Sequence, residues 1–103
     1  VCQEDFLDRE MVDYLLQHRG ENPGCDLDAI QRHVTDIRAG GSPPVDVYVE
    51  GMAYRVHVDS RELASAYRYN GQREIPVNFL LPDDPDVPAY VRRRDSITPS
   101  GRA

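Results

Sequence analysis

Three histidines, two cysteines, six tyrosines and twelve basic residues supply most of the side chains with which this chain could do chemistry. His18, His33 and His57 fall on a loop, a helix and a strand, without the second His or Cys three or four residues away that a zinc site uses. Cys25 and His33 are the types of a nucleophile and its base, yet no oxyanion donor or third group accompanies them in the sequence. Asp83, Asp84 and Asp86 cluster acid on a loop that lacks the ligand pattern and glycine of a calcium site. No enzyme, metal or cofactor chemistry is therefore expected. What remains is recognition: Tyr48, Arg55, His57, Tyr67, Arg68, Tyr69 and Arg73 interleave aromatics with guanidinium groups. Such a surface suits a nucleotide-like ligand or a protein, because a tyrosine face stacks and an arginine fork satisfies paired oxygens. An ordinary amphipathic surface reads the same way.

A chain of 103 residues with 40% hydrophobic content, two Phe and no Trp builds one small domain with a modest core. Its net charge of −6 is uneven, with nine acids against four arginines in residues 1–44. A nucleic-acid binder shows the opposite, a basic stripe that displaces counterions from phosphate. All twelve basic residues are arginine. A GC-rich genome explains this, as does loss of lysine to evade ubiquitin attachment in a host cell. No long apolar run is present, so neither a signal peptide nor a membrane span is expected, and an intracellular location follows. In that setting Cys2 and Cys25 are expected as reduced structural thiols, with a Cys2–Cys25 staple the alternative for a secreted protein.

The elements that would position these groups follow from periodicity. Leu7, Met11, Tyr14 and Leu15 predict an amphipathic helix over 5–18, with Asp5 and Asp8 near its start. Asp26 caps a second helix carrying Leu27, Ile30, Val34 and Ile37, which Gly40-Gly41 end. Val45, Val47 and Val49 alternate up to a Glu50-Gly51 turn, and Tyr54, Val56 and Val58 alternate after it, predicting a hairpin with one buried face. Asp59 and Glu62 resemble a capping box for a short third helix with Leu63, Ala66 and Tyr67 inward, stopped by Asn70-Gly71. Ile75, Val77, Phe79 and Leu81 alternate as a last strand that Pro76 confines to an edge or a strand start. The predicted fold is α+β, one or two helices packed on a small, mainly antiparallel sheet, as a single domain over 1–81. Residues 82–103 form a Pro/Asp/Arg-rich tail expected to be extended or disordered, with Val87, Tyr90 and Val91 as docking points.

The order of helix, Gly-rich turn, hairpin and N-G-x-R-x-I strand is similar to the WWE domain, a module found beside ubiquitin-ligase and ADP-ribosyltransferase domains. The resemblance covers about residues 26–77 and rests on IQRHVTDIRAGGSPPVDVYVEGMAYRVHV and AYRYNGQREI. It implies a half-barrel with a pocket for an ADP-ribose-type unit, and it carries Tyr54, Tyr67 and Arg73 over as ligand-binding positions. Both family tryptophans are missing, His57 stands where the family has an acid, and Ser65 or Ala66 replaces its glutamine. A lost or altered ligand is the corresponding expectation.

Two short signals lie in the tail. Arg93-Arg94-Asp95-Ser96 fits a basic-directed kinase pattern, making Ser96 a candidate phosphosite. Asp86 to Arg92 resembles the C-terminal docking peptide of the bacterial tubulin-like division protein. Two functional expectations result. One is a non-catalytic WWE-like module that binds an ADP-ribose-type ligand or a protein. The other is a protein-protein assembly domain without a small ligand, using the sheet edge at 75–81 and the tail.

Overall fold

The computed structural model describes residues 5–21 and 24–89. They form helix α1 (Arg9–Gln17), helix α2 (Leu27–Arg38), strands β1 (Val45–Glu50) and β2 (Ala53–Val56), helix α3 (Arg61–Tyr69) and strand β3 (Val77–Phe79), with short 3-10 turns at Arg19–Glu21 and Val58–Ser60. The fold is α+β, with three helices at the places the sequence indicates.

α2 forms as its sequence dictates. The Asp26 carboxylate accepts from the Ala29 N–H at 3.0 Å, and Leu27, Ile30 and Val34 are buried, with Ile37 partly so. At its end Gly40 takes a φ of +104°, and the Gly40 and Gly41 amides return to Ile37 and Asp36. Only glycine enters this left-handed cap without strain.

α1 is rotated from the expected face. Val12 and Leu15 are buried with Leu16 against them, whereas Met11 and Tyr14 are exposed. The helix begins at Arg9, so Leu7 lies outside its register and the spacing from Leu7 to Met11 has no helical meaning. Leu7 reaches the core from the preceding segment, where its N–H bonds the buried Ser65 hydroxyl at 2.8 Å.

The Asp59 capping box does not form. Residues 58–60 take a 3-10 turn in which the Asp59 N–H bonds His57 Nδ1, so α3 starts at Arg61. Glu62 instead accepts from the Asp26 N–H, and the Ser60 hydroxyl accepts from the Asp46 N–H. The stop at Asn70-Gly71 is as expected, with amides of Gly71 and Gln72 returned to Arg68 and Tyr67.

β1 and β2 pair antiparallel across Gly51-Met52, where Gly51 has φ +63° and Met52 a negative φ, the sign pattern of a type II′ turn. β3 pairs with β1 in parallel, Val45 opposite Val77 and Val47 opposite Phe79. The sheet order is β2-β1-β3, so the sheet is mixed rather than mainly antiparallel. The reason is the crossover: α3 lies between β2 and β3 and returns the chain to run beside β1 in the same direction.

α3 covers one sheet face through Leu63, Ala64 and Tyr67, which pack on Val45 and Val47. Behind it, α1, α2, Leu7 and Cys25 form a second cluster around Ala66, and Ile37 contacts both. On the opposite sheet face Val87 and Leu80 cover Tyr48. The packing therefore continues past residue 81, and Val87 docks as expected; Tyr90 and Val91 lie outside the described residues. Cys25 is buried and disulfide-bonded, which corrects the expectation of a reduced thiol. Cys2 lies outside the described residues. Among the described residues no helix is long and apolar enough to cross a membrane.

Candidate functional site

The two edges of the sheet are treated differently, and the difference comes from side chains far apart in sequence. Just past β2 the His57 N–H bonds the Asp46 carbonyl, so by strand alternation the N–H and C=O of Val56 point away from β1. Both are occupied. Asp5 accepts the Val56 N–H at 3.2 Å, and Arg61 Nε donates to the Val56 carbonyl at 3.3 Å. Asp5 is itself held by Arg55 through Nε at 2.9 Å and a terminal nitrogen at 2.8 Å, with Arg61 at 3.4 Å and Glu50 on the other Arg55 nitrogen. The hydrogen bond from Arg55 keeps the Asp5 carboxyl below the usual carboxylate range, against the opposing effect of burial. A charged latch thus closes this edge at Val56, whereas the outward N–H and C=O of Tyr54, on the same alternation, have no partner among the described residues.

β3 carries no such closure. Val45 N–H bonds the Pro76 carbonyl and Leu80 N–H bonds the Val47 carbonyl, so the main-chain groups of Val77 and Phe79 face outward. Among the described residues nothing pairs with them. Val77 is 43% exposed and Phe79 58%, and Leu81 follows on the same alternation at 67%. Pro76 lends no donor at the start of this strand.

The apolar face continues inward from the open edge. Val45 and Val47 lie beneath α3, but Val49 on the same face is exposed. Across it the Tyr54 ring, 69% exposed, meets the Phe79 ring at 5.6 Å between centroids and a tilt of 58°. Met52 at the hairpin tip is fully exposed. Val49, Met52, Tyr54, Val77, Phe79 and Leu81 together make an apolar surface beside an unpaired strand edge, the arrangement that takes another extended polypeptide.

The positions carried over as ligand-binding are not brought together. Tyr54 lies on this apolar surface. Tyr67 has no exposure at all, and its hydroxyl donates to the Pro43 carbonyl at 2.7 Å. Burial, with Asp36 nearby, raises its phenol pKa. Arg73 is exposed on the segment after α3. Depressions on the helical side, such as one of about 200 Å³ lined by Val12, Leu16, Ile30, Val34, Arg38 and Tyr69, include none of the three. Ser65 and Ala66 are both buried, the Ser65 hydroxyl donating to the Arg61 carbonyl.

The other interleaved aromatics and arginines hold the fold. Tyr48 is covered, and Arg55 is committed to the latch. Arg68 pairs with Asp8 at 3.1 Å and lies over the Phe6 ring, and Tyr69 donates to Asp13 at 2.8 Å. Ser96 lies outside the described residues.

Val77 and Phe79 were legible as an edge strand from alternation around Pro76. Val49 and Met52 were not, because exposure of Val49 depends on how far α3 reaches. No spacing marks Asp5 as the partner of Arg55, fifty positions away. No family model, curated protein or solved structure matches this chain.

Proposed function

We propose that this domain is a protein-assembly module that joins polypeptides by strand addition at the β3 edge, with the apolar surface of Val49, Tyr54 and Phe79 as its second contact. The observation that carries this reading is the contrast between the edges: β2 is closed at Val56 by Asp5 and Arg61, while β3 presents unpaired main-chain groups flanked by exposed apolar side chains. Exposed apolar edges favour association with another chain, and proteins ordinarily blunt edges that have no partner. Main-chain hydrogen bonds supply affinity in such contacts, and alternate side chains supply selectivity.

The test is a pair of titrations of the ¹⁵N-labelled protein followed by amide shifts and hydrogen exchange. One uses an extended probe peptide of alternating valine and threonine; the other uses ADP-ribose. The expected result is slowed exchange and shifted resonances at Val77 and Phe79 with the peptide. Shifts at Tyr54 and Arg73 with ADP-ribose, and none along β3 with the peptide, would replace this reading by the ligand-binding one. Silence in both titrations from a protein that is monomeric at the concentrations used would refute it.

A further inference from the structure

Resting on the assembly reading, we infer that the occupant of the β3 edge is a second copy of this chain, paired antiparallel about a twofold axis at Asn78. The edge is self-complementary in that register. Its outward main-chain groups belong to Val77 and Phe79, two residues apart with Asn78 between them. Antiparallel pairing about Asn78 sets Val77 of one copy opposite Phe79 of the other, and both residues then exchange N–H and C=O bonds in one hydrogen-bonded pair. The axis repeats the pair on its other side. Both side chains lie on the sheet face that carries Tyr54 and Val49, so the two apolar surfaces merge across the axis.

Charge agrees with this direction. Asp83, Asp84 and Asp86 follow β3, while the segment before it carries Arg73 and Glu74, with no net charge. An antiparallel partner sends its own acids to the opposite end, beside that neutral segment and its Arg73; a parallel partner of the same sequence in register stacks acid on acid.

Closure also favours a copy over an unrelated strand. An added peptide leaves its own far edge open. A second copy gives one continuous sheet in the order β2-β1-β3-β3-β1-β2, whose outer edges are the β2 edges, capped at Val56 by Asp5 and Arg61 and open only at Tyr54. The contact is isologous, so it ends at a dimer.

Sedimentation equilibrium of the intact chain over a range of concentrations tests this. The expected mass rises from 11.7 kDa toward twice that value. Phe79→Lys, at an exposed position, keeps the circular dichroism spectrum and weakens dimerisation at least tenfold. Asn78→Cys reads the register, because the central pair is a non-hydrogen-bonded one whose side chains approach closely. It is expected to form an intermolecular disulfide on mild oxidation, while Gln72→Cys does not. A native-like Phe79→Lys that dimerises as tightly as the parent, or cross-linking at Gln72→Cys but not at Asn78→Cys, overturns the inference. A monomer at every concentration whose Val77 and Phe79 amides are still protected by the valine-threonine peptide overturns the second copy as occupant and leaves the assembly reading standing. A monomer without that protection overturns both.

Discussion

Replacing Asp5 with asparagine removes one charge from the latch on β2 while keeping the shape of the side chain. The carboxylate takes two nitrogens of Arg55 at 2.9 and 2.8 Å, the Val56 N–H at 3.2 Å and Arg61 at 3.4 Å. Its side chain is 19% exposed and that of Arg55 is 37% exposed, so solvent screens the pair in part. A fully exposed ion pair contributes about 0–1 kcal/mol. Hydrogen bonds to charged groups contribute about 1.5–3 kcal/mol. Asp5 lies between these cases, and Asp5→Asn is expected to cost about 1–3 kcal/mol, or on the order of 5–20 °C in Tm for a domain of this size. The pH dependence has a definite sign. Arg55 lowers the folded-state pKa of Asp5, so its contribution is present above the unfolded pKa of about 4 and is lost as pH falls through the folded value. The gap between parent and variant, measured by urea unfolding, is therefore full at pH 7 and shrinks on acidification below about pH 4. Exchange at the Val56 amide accelerates in the variant. Equal midpoints at pH 7 together with unchanged Val56 exchange would refute the latch.

Four further outcomes follow from the packing and the Cys25 disulfide. Tyr67→Phe leaves the Pro43 carbonyl without its 2.7 Å donor and is expected to cost about 1–3 kcal/mol in urea unfolding, although the ring still fills its site. Leu15→Ala is expected to cost about 2–5 kcal/mol because it opens a cavity in the α1-α2 cluster. Met11→Ala on the exposed side of the same helix should stay within about 0.5 kcal/mol; the reverse order would restore the face expected from the Leu7-Met11 spacing. Reduction of the Cys25 disulfide is expected to lower stability by on the order of 2–4 kcal/mol, read as a fall in Tm on adding reductant.

Much of the framework is local and was legible. α2 carries its cap, its apolar spacing and its glycine stop within residues 26–41, and the hairpin needs only its alternation and Gly51. α1 was displaced by a residue outside the helix, since periodicity cannot tell that Leu7 reaches the core from a different backbone path. The direction of β3 was also beyond local pattern. A short alternating run pairs either way, and the crossover through α3 decided it.

The candidate site divides along the same line. Residue types alone determined that Ile75 to Leu81 would alternate, that Pro76 would suit an edge, and that the hairpin would have an apolar face. They could not determine which tyrosines and arginines remain available. Tyr67 fits both an inward helix position and the interleaved surface until α3 packs it on Val45 and Val47, Tyr48 reads as a surface aromatic until Leu80 and Val87 cover it, and Arg55 reads as a free guanidinium until Asp5 arrives from fifty positions away. Only tertiary structure decided that α3 shelters Val45 and Val47 but stops short of Val49 and Tyr54, and that one sheet edge is latched while the other is open. Periodicity is a property of neighbouring residues, whereas burial and edge closure depend on what the rest of the chain brings to them.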